Sequence, residues 1–295
     1  MKIVLLGPGL MGAQIACEYA IGGHEVTVLS RRPELASERI GRGFATGREH
    51  GLVSDAEADA ARGRIAITGA ETSIEDADII VESVVEELAA KQAALAPVVA
   101  RNPGAIVASN TSSIPITAIG QAIGAGVRTI GAHYWNPPLL MPMVEVIRGD
   151  ETAEAVVAQM TATLRALGKR PVLVDRDVPG FAWNRLQLAL LREAVWLVEN
   201  GVASPETVDE IVRDGLARRW RYTGPFQTAA LGGAATFERV AALLWPSLSQ
   251  ATSLADLRRW LREDAEVTGP LRERRDRGLA ADMRADAARD AEAGA

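Results

Sequence analysis

The chain has 295 residues, 48% apolar and 24% charged, enough to bury a core in one large or two ordinary domains without staples. A formal charge of −6 argues against a broad contact with a nucleic-acid backbone, although a local basic cluster could hold one small anion. The single cysteine, Cys17, excludes an intrachain disulfide and a thiolate metal cluster, and no metal site is expected.

Residues 2–6 form an apolar run of strand type that ends in a glycine-rich turn. Starting so early, the run leaves no room for a signal peptide; no apolar stretch reaches the length of a membrane span, and the cytoplasm is the expected location. Residues 13–21 read as a helix closed by Gly22 and Gly23, and 25–29 alternate as a second strand. Strand, tight turn, helix, strand is the opening of a doubly wound α/β sheet. Residues 33–62, rich in Ala, Arg and Glu, read as helical with a break near Gly51. Buried strands are predicted at 65–68, 79–81 and 106–108, with a helix at 86–100. Strands 129–134 and 143–147 flank a proline-rich loop, and a helix at 152–167 and a strand at 172–174 follow.

After Asp177-Val178-Pro179-Gly180 only helical periodicity remains, at 181–200, 205–215, 236–244 and 254–263. The reading is an α/β domain over 1–176, a helical domain over 177–284 and a disordered tail at 285–295, rich in Ala, Asp and Arg. Trp183, Leu186, Leu190, Trp196 and Trp220 on the second domain's helices are assigned mostly to core, with some left to bury against a second subunit.

Gly7-Pro8-Gly9-Leu10-Met11-Gly12 fits the pattern G-x-G-x-x-G between a first strand and a helix. Gly7 permits the tight turn, Gly9 lets the backbone approach a pyrophosphate, and Gly12 lets the helix pack closely on the sheet. The helix N-terminus then offers unpaired N–H groups and a positive dipole end to phosphate. At the end of the second strand an acidic residue would hold the ribose 2′-hydroxyl of NAD, but here stand Ser30, Arg31 and Arg32. A hydroxyl and guanidinium groups would bind a 2′-phosphate instead, so NADP(H) is the favoured cofactor. NAD stays open, served by Glu34 or backbone, with both arginines then solvated.

Three further segments carry chemistry. Ser109-Asn110-Thr111-Ser112-Ser113 follows a buried strand, at the end that faces the ligand crevice, and its hydroxyls can position a substrate oxygen or cap a helix. His133 and Glu145 lie on two strands which, paired antiparallel about Leu139, bring the two side chains opposite one another on one face. The carboxylate would fix the imidazole tautomer and stabilise the imidazolium, leaving the other nitrogen to take the hydroxyl proton of an alcohol as hydride departs. His24 and His50 lack such a setting and read as structural. Asn184, in the Pro179–Arg185 segment, can donate a hydrogen bond to a carbonyl or alkoxide, or be a surface polar residue.

The segments GPGLMG, VESVVEELAAK, SNTSS, HYWNPP with MVEV, and PGFAWNRLQ together resemble the L-3-hydroxyacyl-CoA dehydrogenase family over nearly the whole chain. The resemblance implies a Rossmann-type N-terminal domain and a helical C-terminal domain that forms a homodimer. It implies that His133 is the catalytic base, Glu145 its partner, and Ser112 and Asn184 substrate-orienting residues. Glu86, Lys91 and Asn136, with Ser112 near both ligands, match cofactor-contacting positions; Lys91 otherwise reads as a helix-surface cation. Two departures stand out. The family usually has Asp where Ser30 stands, and the stretch with Arg39, Arg42 and Arg48 lacks the lysine-rich face expected to bind CoA phosphates. The Gly224–Thr228 stretch and the NPP loop look more like the lambda-crystallin and L-gulonate 3-dehydrogenase branch, whose members oxidise small free 3-hydroxy acids. The substrate expected is a small molecule or an acyl thioester, and an acyl-CoA, a carrier-protein thioester and a free hydroxy acid all stay open.

Two other readings share the domain plan. A 3-hydroxyisobutyrate dehydrogenase or imine reductase is disfavoured because helix 181–200 contains Asn184 but no lysine, and a His–Glu pair has no role there. A non-enzymatic, crystallin-like NADP-binding protein is disfavoured because each expected catalytic position holds a competent residue.

Overall fold

The computed structural model describes residues 1–69, 74–253, 260–261 and 265–293. Eight strands form one sheet: β1 (Lys2–Leu6), β2 (Glu25–Leu29), β3 (Ile65–Thr68), β4 (Ile79–Glu82), β5 (Ile106–Ser109), β6 (Thr129–Tyr134), β7 (Met143–Arg148) and β8 (Arg170–Val174). Their spatial order is 3-2-1-4-5-6-7-8, and every neighbouring pair is parallel except β6 against β7. The order reverses beside β1, which pairs with both β2 and β4, so the ligand crevice of this fold opens there at the carboxyl ends of the strands.

The inner strands are apolar at successive positions because both faces are covered. Ile3 and Leu5 enter one core with helix α1 (Leu10–Ile21) and helix α6 (Glu154–Ala166); Val4 and Leu6 enter the other with Leu95 and Val98 of helix α4 (Leu88–Arg101). Helices α2 (Pro33–Glu49) and α3 (Asp55–Arg62) separate near Gly51, where φ is +65°, and Ser54 with Glu57 forms a capping box that restarts the chain as α3. Helix α5 (Ile116–Ala122) lies between β5 and β6.

The chain divides into two compact units, Met1–Ala182 with Gly269–Ala295, and Trp183–Thr268. The break follows Ala182 rather than residue 176 because Phe181 is fully buried in a cluster with Ile116 and Ile147 of the first unit. Residues 285–293 of the tail read as disordered are helical, as part of the last helix, Ala265–Ala293; the remaining two lie outside the described residues. Alanine favours helix, Ala280 is buried, and Arg284 donates to the His50 carbonyl at 2.6 Å, which ties this segment to the end of α2.

The second unit contains α7 (Trp183–Glu199), α8 (Pro205–Glu210), a π turn (Ile211–Leu216), α9 (Ala217–Trp220), α10 (Pro225–Gly232) and α11 (Ala234–Leu244), and the final helix is α12 in this numbering. Most of the predicted helix at 254–263 lies outside the described residues. The assignment of the large apolar residues here to core is corrected: Leu186 is 68% exposed, and Trp196 and Trp220 are also exposed. Among the unit's described residues only Val195 and Val208 are buried, since short helices with several apolar faces outnumber the interior that this unit provides. Among the described residues no helix is long and apolar enough to cross a membrane.

One buried ion pair joins α1 to the β6–β7 connection. Lys169, just before β8, pairs with Glu18 of α1, and its Nζ donates to the carbonyls of Pro138 at 2.7 Å and Met141 at 3.0 Å. Burial pushes the Glu18 carboxyl up to about 7, against the pull of Lys169. Lys169→Met removes the counter-charge and two donors, and breaking such a pair costs about 3–5 kcal/mol. Urea denaturation at neutral pH is expected to show that loss, and adding Glu18→Leu to restore part of it.

Candidate active site

The glycine turn is held against the end of β4. Gly7 has φ +83°, and a Cβ there would stand 2.5 Å from the Ser83 carbonyl oxygen, so turn and neighbour strand both require glycine. Gly12 is closed in the same way by the Gly7 carbonyl. Gly9 differs: a Cβ would meet only the Gly7 oxygen, at 4.0 Å. The protein leaves that space open, and a pyrophosphate is what would fill it. Gly9 is also the N-cap of α1 and supplies no side-chain cap, so the first N–H groups of the helix face the same opening. Pro8, Leu10 and Met11 complete the turn, Pro8 buried and Leu10 exposed. These residues fit a dinucleotide.

At the end of β2, Ser30 is buried and its Oγ accepts the Arg32 N–H at 3.1 Å, which shapes the turn into α2. Arg31 and Arg32 are exposed, and neither is in an ion pair with another described residue. Among the described residues no carboxylate follows β2 in the Ser30–Arg32 turn.

Beyond β4 and β5 lies a buried charge network. Lys91, read as a helix-surface cation in the absence of a cofactor role, is instead 1% exposed, with Nζ 2.8 Å from Glu82 Oε1 and 3.1 Å from Glu86 Oε2. It lies on the buried stripe of α4 with Leu95 and Val98, so helical spacing alone could have placed it. Glu82, missed from sequence, also accepts from Ser109 Oγ at 2.5 Å and from the Val84 N–H at 2.7 Å. Glu86 Oε1 accepts from Thr111 Oγ1, the Ser113 hydroxyl, and the backbone N–H groups of Ser112 and Ser113, all within 2.6–2.9 Å. Burial would raise the Glu86 carboxyl, but the Thr111 hydrogen bond, the Lys91 charge and the Ser113 hydroxyl outweigh it and hold it at about 2. The loop bearing Ser112 is therefore held on a carboxylate that is ionised at neutral pH. Asn110, also missed, donates to Ser83 Oγ at 3.1 Å and accepts the Tyr134 N–H at 2.9 Å, linking the floor of the glycine turn to β6.

The antiparallel register sets His133 directly opposite Glu145, as the symmetry about Leu139 predicts. His133 Nδ1 lies 2.7 Å from Glu145 Oε2, and both side chains are buried. The second carboxylate oxygen accepts the Ala182 N–H at 3.2 Å. The Phe181 ring packs on the imidazole with centroids 5.7 Å apart, and Phe181 takes a left-handed φ of +50° to do so. A bulky residue in that region carries a cost on the order of 1–3 kcal/mol, which the surrounding packing must offset. The Pro179–Arg185 segment, read for Asn184, also supplies Phe181 and Ala182, which contact the dyad.

Asn136 is exposed, immediately beyond β6, and Ser112 is exposed on its loop. Asn184 lies in the first turn of α7, in the second unit. Among the described residues no group of three His, Cys, Asp or Glu could hold a metal ion.

A dinucleotide crevice edged by a carboxylate-held imidazole suits hydride transfer from a CH–OH carbon, and the class is that of nicotinamide-dependent dehydrogenases. Residues 2–178 match the 3-hydroxyacyl-CoA dehydrogenase NAD binding domain and residues 180–264 match the C-terminal domain of the same enzymes, so the chain belongs to the 3-hydroxyacyl-CoA dehydrogenase family. It is 34% identical over 266 residues to the 5-formyl-3-hydroxy-2-methylpyridine 4-carboxylate 5-dehydrogenase of Mesorhizobium japonicum, covering 87% of this chain and 84% of the relative. A crystal structure of a 5-dehydrogenase of that description, an NAD+ dependent dismutase, superposes with a TM-score of 0.85 at 32% identity, covering 96% of this chain and 97% of the other. A probable 3-hydroxybutyryl-CoA dehydrogenase of Bacillus subtilis is 36% identical over 224 residues, 73% of this chain and 76% of the relative. The L-carnitine dehydrogenase of Streptomyces coelicolor is 34% identical over 238 residues, 79% and 73% respectively. The imine-reductase-like and crystallin-like readings are not favoured by these relatives.

Proposed function

We propose that this dehydrogenase acts on the hydroxyl of a small free carboxylic acid, with NADP(H), as a homodimer in the cytoplasm. The observation that carries the chemistry is the 2.7 Å contact between His133 Nδ1 and Glu145 Oε2 at the crevice end of β6. With Nδ1 donating to the carboxylate, Nε2 is the acceptor that takes the hydroxyl proton in oxidation and returns it in reduction. Glu145 stabilises the imidazolium between those steps, and the Ala182 N–H keeps its second oxygen in place. A bound nicotinamide supplies the hydride acceptor, or the donor in the reverse direction. Gly7 to Gly12 and the N-terminus of α1 hold the phosphates, Glu86, Lys91 and Asn136 line the cofactor side, and Ser112 with Asn184 orients the substrate oxygen.

A small free acid is favoured over an acyl-CoA on two grounds. The likeness that runs through nearly the whole chain is to an enzyme named for a pyridine carboxylate. In the stretch where CoA phosphates would need cations, Arg42 is paired with Glu38, and Arg48 with Asp55 and Asp59. NADP(H) is favoured over NAD by Ser30, Arg31 and Arg32, which stand at the end of β2 where an acidic residue would hold the ribose of NAD. A second copy of the chain is the partner that the exposed apolar faces of the helical unit fit: Phe226, Leu231, Leu243 and Trp245 are each more than 70% exposed. The cytoplasm suits a chain whose one cysteine is buried, with burial and the neighbouring Glu18 pushing the thiol up to about 12.

Three outcomes are expected. His133→Ala lowers turnover by about two to four orders of magnitude, the range for a lost general acid–base, while the folded circular-dichroism spectrum is kept; unchanged turnover would reject the assignment. Initial rates at limiting cofactor are higher with NADPH than with NADH, on small 3-hydroxy or aromatic hydroxy acids rather than 3-hydroxybutyryl-CoA. Light scattering gives a mass twice the 31.4 kDa of one chain.

A further inference from the structure

Helix α2 carries three arginines whose surroundings differ. Arg42 Nη2 lies 2.5 Å from Glu38, and Arg48 reaches Asp55 at 3.2 Å and also Asp59. Arg39 has no carboxylate partner among the described residues. Its Nη1 donates instead to the carbonyl of Pro8 at 3.1 Å, so a half-buried guanidinium from α2 lies across the outside of the glycine turn. A cation drawn partly out of water with only one carbonyl to meet it is costly unless an anion completes its shell. One of its five N–H donors is used on Pro8, and the planar fork can present others to phosphate oxygens.

Position says which anion. The pyrophosphate belongs at the N-terminus of α1, and the ribose 2′ position belongs at the end of β2. Arg31 and Arg32 stand at that strand end, and Arg39, fewer than two helical turns beyond Pro33, leans back from α2 to the turn. We infer that Arg39 is a specificity-determining residue that binds the 2′-phosphate of NADP(H), with the Pro8 carbonyl as the brace that aims it. The inference rests on the NADP(H) reading and adds to it a residue outside the strand-end signature.

The test is calorimetric titration of the full chain with 2′,5′-ADP and with 5′-AMP, two adenosine fragments that differ in the 2′-phosphate. For Arg39→Met the affinity for 2′,5′-ADP is expected to fall about ten- to hundredfold, the worth of a charge-assisted hydrogen bond, while 5′-AMP changes less than about twofold. Arg39→Lys keeps the charge without the fork and should retain part of the discrimination; it carries the test should the methionine variant fail to fold. Equal losses for both fragments would mean that Arg39 only braces the turn, and would overturn the proposal. Arg31→Ala separates the two levels. If it loses 2′,5′-ADP selectively and Arg39→Met does not, the phosphate pocket stands and the Arg39 role is rejected. If the unaltered protein binds both fragments equally, the NADP(H) reading itself fails, and this inference with it.

Discussion

The one antiparallel pairing in the sheet, β6 against β7, sets the contact between His133 and Glu145. In a parallel pair the chain must cross over before returning, and residues close in sequence cannot face one another. Reversing direction through the short Pro138–Leu140 turn puts His133 and Glu145, twelve positions apart, in direct register. The same alternation sends their neighbour Tyr134 to the opposite face, into the core that α1 covers. One strand thereby contributes a carboxylate-held imidazole on one side and anchorage on the other. The Asn110 bond to the Tyr134 N–H and the Lys169 bonds to the turn carbonyls then fix the turn end of the hairpin.

Charge is used economically around this hairpin. Of the three lysines, Lys91 and Lys169 are buried, whereas exposed basic positions are mostly arginine. An ammonium is a compact donor of three hydrogen bonds, which suits a small cluster of carboxylates and carbonyls; a guanidinium suits planar, bidentate contact at a surface. Lys91 gathers Glu82 and Glu86, and through Glu86 the Thr111–Ser113 loop. Lys169 gathers Glu18 and the turn after Pro137. Each ties the C-terminal end of one strand to a neighbouring element, and neither would gain the same geometry from apolar packing. Burial of ion pairs is weak evidence for stability, so positional definition of the crevice is the better account of why they persist here.

Much of this was legible in sequence, and the reasons are specific. The glycine turn could be read because three glycines at fixed offsets between a strand and a helix answer three separate steric demands. The His133–Glu145 pairing could be read because strand period is two and the loop centre is near Leu139, so register followed from counting. Lys91 sits at helical spacing from Leu95 and Val98, and only its charge argued for the surface. Glu18 offered no such signal: α1 is buried almost all round, so every position on it looks alike. Lys169 and Asn110 act through contacts distant in sequence. The C-terminal tail was misread because a charged, alanine-rich composition serves equally for a solvated coil and for a helix that borrows a neighbour. The contact of Arg284, just before that tail, with the His50 carbonyl is not written in the local pattern.

The segment from Asp177 to Ala182 extends the same logic. At one end Asp177 accepts the Thr117 N–H at 2.7 Å, on the helix that follows the serine-rich loop. At the other, Ala182 donates to the carboxylate that holds His133. Between them Gly180 and Phe181 both adopt positive φ, which turns the Phe181 ring onto the imidazole. Glycine bears that conformation freely, whereas phenylalanine does not, so the strain is located at the residue in contact with the dyad. Connections between domains are ordinarily loose and variable. This one is held at both ends, by Thr117 at Asp177 and by Glu145 at Ala182. The end of the first unit therefore packs on the His133–Glu145 pair through Phe181 and Ala182.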